Sequence, residues 1–215
     1  MQAYRRLFVL ALACAAAAPL PAVAGAADGV ALLRNWVRDT RSGSADFTQQ
    51  VVDAKGARGA VSRGHFEFER PGRFRWSYSV PYRQDIVSDG STIWTYDHDL
   101  DQVTLTRASR VLAGTPAALL AGADLDAVFK LEPLPAADGL QWVQATPRGT
   151  ESSFAWVRIG LRDGAGGPQL VRMQLRDAFR RTSDIVFSAQ QRNPALAPAT
   201  FRFAVPAGAA VLDQR

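Results

Sequence analysis

Arg70-Pro71-Gly72-Arg73-Phe74-Arg75-Trp76-Ser77-Tyr78, together with the preceding Gly64-His65-Phe66-Glu67-Phe68-Glu69, decides the architecture. Both flanks alternate with period two, the mark of strands with one apolar face. Phe66 and Phe68 share a face, and the alternation carries Arg70 onto it. Phe74, Trp76 and Tyr78 share the apolar face of the second flank, with Arg73 and Arg75 turned away. One arginine thus sits at the edge of an aromatic lining, where a charge is costly unless paired or hydrogen-bonded. A two-residue Pro71-Gly72 loop would split the aromatics between two faces. Pro-Gly also suits a type II turn, which two-residue hairpins disfavour. A longer loop is therefore expected, with Arg70 opposite Phe74 and Phe68 opposite Trp76.

Outward from this hairpin, Asp28-Gly29 marks a helix start. Val30, Leu33, Trp36 and Val37 recur at helical spacing, with Arg34, Asn35, Arg38 and Asp39 on the other side. Ser42-Gly43-Ser44 is expected to end that helix. Strands are expected over 47–52, 84–88, 91–96, 102–106, 127–131, 140–145, 154–161, 170–176, 182–188 and 200–205. Trp94 and Tyr96 share a face of the strand at 91–96. Thr115-Pro116, a cap followed by proline, opens a short helix over 117–121. Strands at about ten-residue spacing indicate a mainly antiparallel sandwich or barrel, and the helices are too few to cover both faces of a parallel sheet.

An ordinary hydrophobic core accounts for any single aromatic on these strands. As a set, Phe66, Phe68, Phe74, Trp76, Tyr78, Trp94 and Tyr96 fall on consecutive strands and are joined by Arg70. A sheet curled around that face, covered by the two helices, encloses a greasy cavity with a lid. A turn-edge arginine reaching water is the other reading of Arg70.

The chain has 215 residues and a formal charge of +5. Arg5 and Arg6, the apolar run over 7–18 and Ala22-Val23-Ala24 form a secretory signal pattern cut after Ala24. The expectation is a signal peptide at 1–24, a single domain over 25–215, and a periplasmic location. Without the signal the charge is +3, almost all of it arginine, interspersed with acids. No nucleic-acid-binding stripe stands out. The single cysteine, Cys14, lies in the signal. Ala11 stands where a lipoprotein signal wants Leu or Val, so lipidation there is a weak match.

Nothing points to catalysis, a metal or a cofactor. The sequence lacks Gly-x-Ser-x-Gly, His-Glu-x-x-His and a glycine-rich phosphate loop. Asp97-His98-Asp99-Leu100-Asp101 starts like a calcium loop, but Gln102 replaces its glycine and Ala108 its bidentate glutamate. His65 falls on the face opposite the aromatics, as a solvated strand residue.

The segment from Arg70 to Pro81 resembles the outer-membrane lipoprotein carrier proteins, the LolA family. So do Val87-Ser88-Asp89-Gly90-Ser91-Thr92-Ile93-Trp94-Thr95-Tyr96-Asp97 and Leu100-Asp101-Gln102-Val103. Phe47-Thr48-Gln49, Thr115-Pro116, Asp177-Ala178-Phe179 and the stretch from Phe201 to Gly208 fit less specifically. The resemblance implies an unclosed antiparallel β-barrel, a half-barrel, whose short helices form a lid over a hydrophobic cavity. It implies a periplasmic chaperone, not an enzyme, that takes acylated lipoproteins from an inner-membrane ABC transporter to a lipid-anchored outer-membrane receptor. On the family pattern Arg70 latches the lid through helix carbonyls near Val37, Leu120 and Ala121, with Leu33 and Trp36 also in the lid helices, and Phe74 lies at the cavity mouth. Direct handover suits a monomer. Arg180 departs from the pattern, where glycine is usual, and so do Ala209-Ala210, where a more polar pair is common. A lipid-anchored receptor of the same fold would require acylated Cys14. An acyl hydrolase would require a nucleophile and base that no motif supplies.

Overall fold

The computed structural model describes residues 28–109, 116–121, 124–149 and 152–215, the side chains of 116–118 excepted. The expected signal at 1–24, Cys14 and the Thr115 cap lie outside the described residues. Twelve strands form one sheet: β1 (Ser42–Val52), β2 (Arg58–Glu69), β3 (Arg73–Val80), β4 (Gln84–Asp89), β5 (Thr92–Asp97), β6 (Gln102–Arg107), β7 (Phe129–Ala137), β8 (Leu140–Pro147), β9 (Phe154–Arg162), β10 (Gln169–Asp177), β11 (Thr182–Arg192) and β12 (Ala210–Asp213). Their order is β12-β6-β5-β4-β3-β2-β1-β11-β10-β9-β8-β7. Every pairing is antiparallel except that of β12 with β6. The edges, β12 and β7, do not meet, so the sheet curls without closing.

Helices among the described residues include α1 (Gly29–Asp39), α2 (Pro116–Ala121) and α3 (Leu125–Val128), with a 3-10 turn at Pro198–Phe201. Asp28 caps α1, its Oδ1 accepting from the Val30 amide at 3.1 Å. The apolar stripe of α1 (Val30, Leu32, Leu33 and Trp36) is buried against the inner face of the sheet. That face carries Phe47, Phe66, Phe68, Phe74 and Trp76 from β1–β3, and Ile159, Met173 and Phe187 from the far side.

The hairpin loop is three residues long, and its pairing differs from the sequence expectation by two. Glu69 faces Arg73, Phe68 faces Phe74, and Phe66 faces Trp76. Arg70 leaves the ladder because its amide donates to the Arg41 carbonyl at 2.8 Å. Gly72 closes the loop at φ 75°, which suits glycine. A shift of two keeps each side chain on its expected face, where a shift of one would have reversed them all.

Three element expectations need correction. Ser42-Gly43-Ser44 does not end α1, which stops at Asp39 with Thr40 as its cap; it begins β1. Gly43 is there for packing, since a Cβ would lie 2.3 Å from Phe68 Cε1. The stretch 127–131 starts as the end of α3 before β7. The stretch 200–205 is no strand. It leaves the 3-10 turn as irregular chain across the outer face of β3 and β4, where Arg75 Nε donates to the Thr200 carbonyl at 2.8 Å. Phe201 is buried there, and Val87, Val103 and Leu105 are buried on the same outer side.

Candidate functional site

The site begins where α1 ends. Thr40, the residue capping α1, is buried, and its carbonyl accepts a hydrogen bond from Arg70 Nε at 2.9 Å. The Arg70 guanidinium lies over Trp36 of α1 at 5.3 Å and over Phe68 of β2 at 5.4 Å from the ring centroids. A cation against two aromatic faces is attracted by their negative π-clouds. Beside it the Gly72 amide donates to the Ala121 carbonyl at the end of α2, at 2.8 Å. One tight loop therefore holds both helices. Burial lowers the Arg70 pKa to about 10, so the group is still a cation at neutral pH.

A residue that sequence reasoning missed reinforces this junction. Asn193 Oδ1 accepts from the Arg41 amide at 2.7 Å and the Ser42 amide at 3.3 Å, and its Nδ2 donates to the Asp39 carbonyl at 2.9 Å. Asn193 sits at φ 54°, a conformation asparagine tolerates better than most residues. Its value is invisible in sequence because its partners lie about 150 residues away.

Next to this junction is a cavity of 270 Å³. Its apolar floor is Trp36, Phe66, Phe68, Leu170 and Phe187, and Thr40 borders it. Of the other expected lining residues, Phe74 and Trp76 continue the aromatic inner face but are packed into it. Trp76 lies 4.8 Å from Phe47 and 4.6 Å from Phe66 between ring centroids. Tyr78 meets Phe47 edge-on at 5.1 Å and donates its hydroxyl to Gln49 Oε1 at 2.8 Å. Burial pushes its phenol up to about 12. Leu33, Leu120 and Ala121, expected in the lid helices, are buried in the hydrophobic core and Val37 is partly so. The Arg70 Nε bond goes to Thr40, beyond Val37, while the Ala121 carbonyl takes the Gly72 amide.

Trp94 and Tyr96 are not cavity residues. On β5 the buried inward side chain is Ile93, so its neighbours at 94 and 96 face outward. There they pack on Phe203 of the C-terminal segment, at 6.2 and 5.9 Å between ring centroids. Their alternation was legible; which face the sheet would curl around was not.

The outer face also brings together a hydrogen-bonded chain that no motif announced. Ser44 Oγ lies 3.0 Å from His65 Nε2, and His65 Nδ1 lies 2.7 Å from Asp46 Oδ1. Ser44 and Asp46 alternate with inward Ala45 and Phe47, and the His65 and Asp46 side chains are 46% and 58% exposed. Acyl transfer needs its groups rigidly placed and shielded from water, and these are solvated strand residues. His98 is likewise held by Asp85, at 2.9 Å. Among the described residues no cluster of three or more His, Cys, Asp or Glu is placed to hold a metal ion, and no helix is long and apolar enough to cross a membrane.

Comparison with known proteins places this arrangement. The family model described as outer membrane lipoprotein carrier protein LolA matches residues 38–204. An outer-membrane lipoprotein carrier protein of Leptothrix cholodnii is 45% identical over 191 residues, covering 89% of this chain and 88% of that protein. One from Methylobacillus flagellatus is 43% identical over 189 residues, covering 87% and 90%. An uncharacterized conserved protein of Thermus thermophilus shares the fold, with a TM-score of 0.53 at 14% identity, over 86% of this chain and 99% of that one. The chain belongs to the LolA family of outer-membrane lipoprotein carrier proteins.

Proposed function

We propose that this protein is a periplasmic chaperone that carries acylated lipoproteins to the outer membrane by sheltering their acyl chains on its inner aromatic face. The observation that carries this reading is the latch: a half-buried arginine and one tight loop tie α1 and α2 to the sheet beside a cavity that α1 borders. Each acyl CH₂ removed from water is worth about 0.8 kcal/mol, so a multi-chain anchor faces a gross cost of tens of kcal/mol in the aqueous gap. A cavity of 270 Å³ lies below the roughly 300–1,000 Å³ of ordinary ligand pockets, so three chains require the lid to move.

The latch also accounts for release. Reclosure regains the Arg70 contacts and hides the aromatics, which lowers net affinity by the free energy of closing. The work is binding and letting go, with no bond made or broken and no cofactor. The donor is an inner-membrane ABC transporter and the acceptor an outer-membrane lipoprotein receptor. The test incubates the purified protein with inner-membrane vesicles holding a triacylated lipoprotein and the energised transporter. A soluble one-to-one complex, with the lipid intact by mass spectrometry, is expected. Lipoprotein that stays with the vesicles overturns the reading.

A further inference from the structure

The cavity wall contains a break in the sheet. Phe187 faces Phe47 and Ser188 faces Asp46, but the next pair is Gln191 with Ser44. Ala45 therefore stands opposite two residues, Ala189 and Gln190, which is a bulge on β11. Ala189 absorbs the extra residue at φ 48°, a left-handed conformation that is unfavourable for alanine. Strain of this kind persists only where the surroundings enforce it, and it gathers at binding sites.

The bulge has a consequence for the cavity. Gln190, Gln191 and Arg192 are consecutive, yet all three border it. Past the bulge the alternation changes phase: Gln191 pairs with the outward Ser44 and Arg192 with Gly43 on the inner face, so Gln190 and Arg192, which strict alternation from Phe187 would turn outward, come to the cavity side. Arg192 is steadied by Nη1 donating to the Gly166 carbonyl at 2.8 Å. Gly167, at φ 90°, makes room for it, since a Cβ there would lie 2.6 Å from Arg192 Nη1. The result is an apolar slot floored by Trp36, Phe66, Phe68, Leu170 and Phe187, with amide and guanidinium N–H donors along one rim.

We infer that this rim grips the carbonyl at the head of one acyl chain, with Gln190 and Arg192 selecting chains that end in an ester, amide or carboxylate. The ligand class rests on the carrier reading above. At roughly 30 Å³ for each methylene-sized group, taken from the liquid volume of water, 270 Å³ holds about nine such groups. That is part of one chain, and the space exists with the Arg70 latch closed. The latched carrier thus has a foothold for a first chain before the lid opens for the others. A lipidated cysteine and a free glycerolipid share this carbonyl chemistry.

The probe is 9,10-dibromostearate, whose bromines quench tryptophan. The signal from the slot is the part lost in Trp36→Phe. The bound probe is displaced with a monoacylglycerol, with the 1-O-alkylglycerol ether of equal length, and with a triacylated cysteinyl peptide. In the wild type the ester should displace at about tenfold lower concentration than the ether, which lacks the carbonyl. In the Gln190→Leu/Arg192→Leu double variant the two should agree within about twofold. Leu170→Trp, which fills the floor without touching the rim, should remove the slot's quenching.

Equal potency of ester and ether in the wild type overturns the inference. So does an ester preference that survives in the double variant, or slot quenching that survives in Leu170→Trp. Weaker displacement by the peptide in the double variant supports the rim and assigns it to cargo; weaker displacement by monoacylglycerol alone supports it and assigns it to free glycerolipid. A protein that discriminates in this way but never extracts lipoprotein sinks the carrier reading and leaves the rim standing.

Discussion

Arg70 and Thr40 are thirty residues apart in sequence, and the 2.9 Å bond from the Arg70 Nε to the Thr40 carbonyl ties the β2–β3 loop to the residue that ends α1. The bond lies beside the cavity, which Thr40 borders, and on the carrier proposal it must break for the cavity to widen. A hydrogen bond to a charged donor contributes about 1.5–3 kcal/mol. That is enough to shift a two-state lid by about tenfold or more.

Arg70→Leu should therefore hold the lid open and retain cargo. Transfer to the receptor is expected to fall on the order of tenfold, with loading preserved. Transfer equal to wild type would show that the latch does not govern release. The effect should be the same at pH 5 and pH 9. Burial lowers the Arg70 pKa to about 10, so the group's contribution is constant below that value. It becomes more favourable only as pH rises from about 10 toward the unfolded value, where the folded state has released a proton the unfolded chain still holds.

Asn193 offers a second handle on the same junction. Asn193→Gly keeps the left-handed backbone but removes three side-chain hydrogen bonds, and Asn193→Ala also adds backbone strain. The expected losses of stability are about 1–2 kcal/mol for Gly and about 1 kcal/mol more for Ala. Hydrogen exchange at the amides of residues 41 and 42 should quicken in both. Unchanged exchange would show that Asn193 does not hold this junction.

Gly64 tests the packing of the inner face. A Cβ there would lie 1.9 Å from the Ser77 carbonyl oxygen and 2.7 Å from Phe47 Cζ. Backbone cannot step aside as a side chain can, so Gly64→Ala should cost about 3 kcal/mol. Gly149→Ala, with nothing within 4 Å, should stay within about 0.5 kcal/mol. Urea denaturation of the two variants gives the comparison.

Asp85 sets part of the acid limit of stability. Burial raises its pKa, but bonds from Ser77 at 2.5 Å and His98 at 2.9 Å, with the nearby Arg75 charge, outweigh burial and lower it. A lowered carboxyl contributes stability that is complete above its unfolded pKa of about 3.9 and is lost as pH falls through the folded value. Asp85→Asn should cost about 2 kcal/mol at pH 7, and the gap to wild type should narrow below pH 4. A constant gap from pH 7 to pH 3 would contradict this account.

Phe203→Ala separates the two faces of the sheet. It removes a ring stacked on Trp94 and tilted against Tyr96 and should cost about 1 kcal/mol. Dibromostearate affinity should not change, because those rings are outside the cavity. Phe68→Ala, which alters the cavity floor, should change it. A loss of affinity in Phe203→Ala would return Trp94 and Tyr96 to the binding surface.

Local pattern carried much of the architecture. Alternation in 64–78 placed Phe66, Phe68, Phe74, Trp76 and Tyr78 on one face, and the spacing of Val30, Leu33 and Trp36 marked α1, because side-chain direction repeats with the backbone. The same alternation could not say that Trp94 and Tyr96 face outward. Each face of β5 carries an apolar side chain, Ile93 on one and Trp94 on the other, and the C-terminal segment that covers the outer one is more than a hundred residues away.

By itself, then, the chain's order of residues determined which elements form, which side chains share a face, and that one arginine would border an aromatic lining. Tertiary structure alone decided that Arg70 meets Thr40, that Asn193 binds the end of α1, and that the bulge at Ala189 shifts the phase of β11 so that Gln190 and Arg192 border the cavity. The reason is physical. Facing follows from backbone geometry over a few residues, whereas a hydrogen bond or a bulge depends on which distant strand arrives alongside, and in what register.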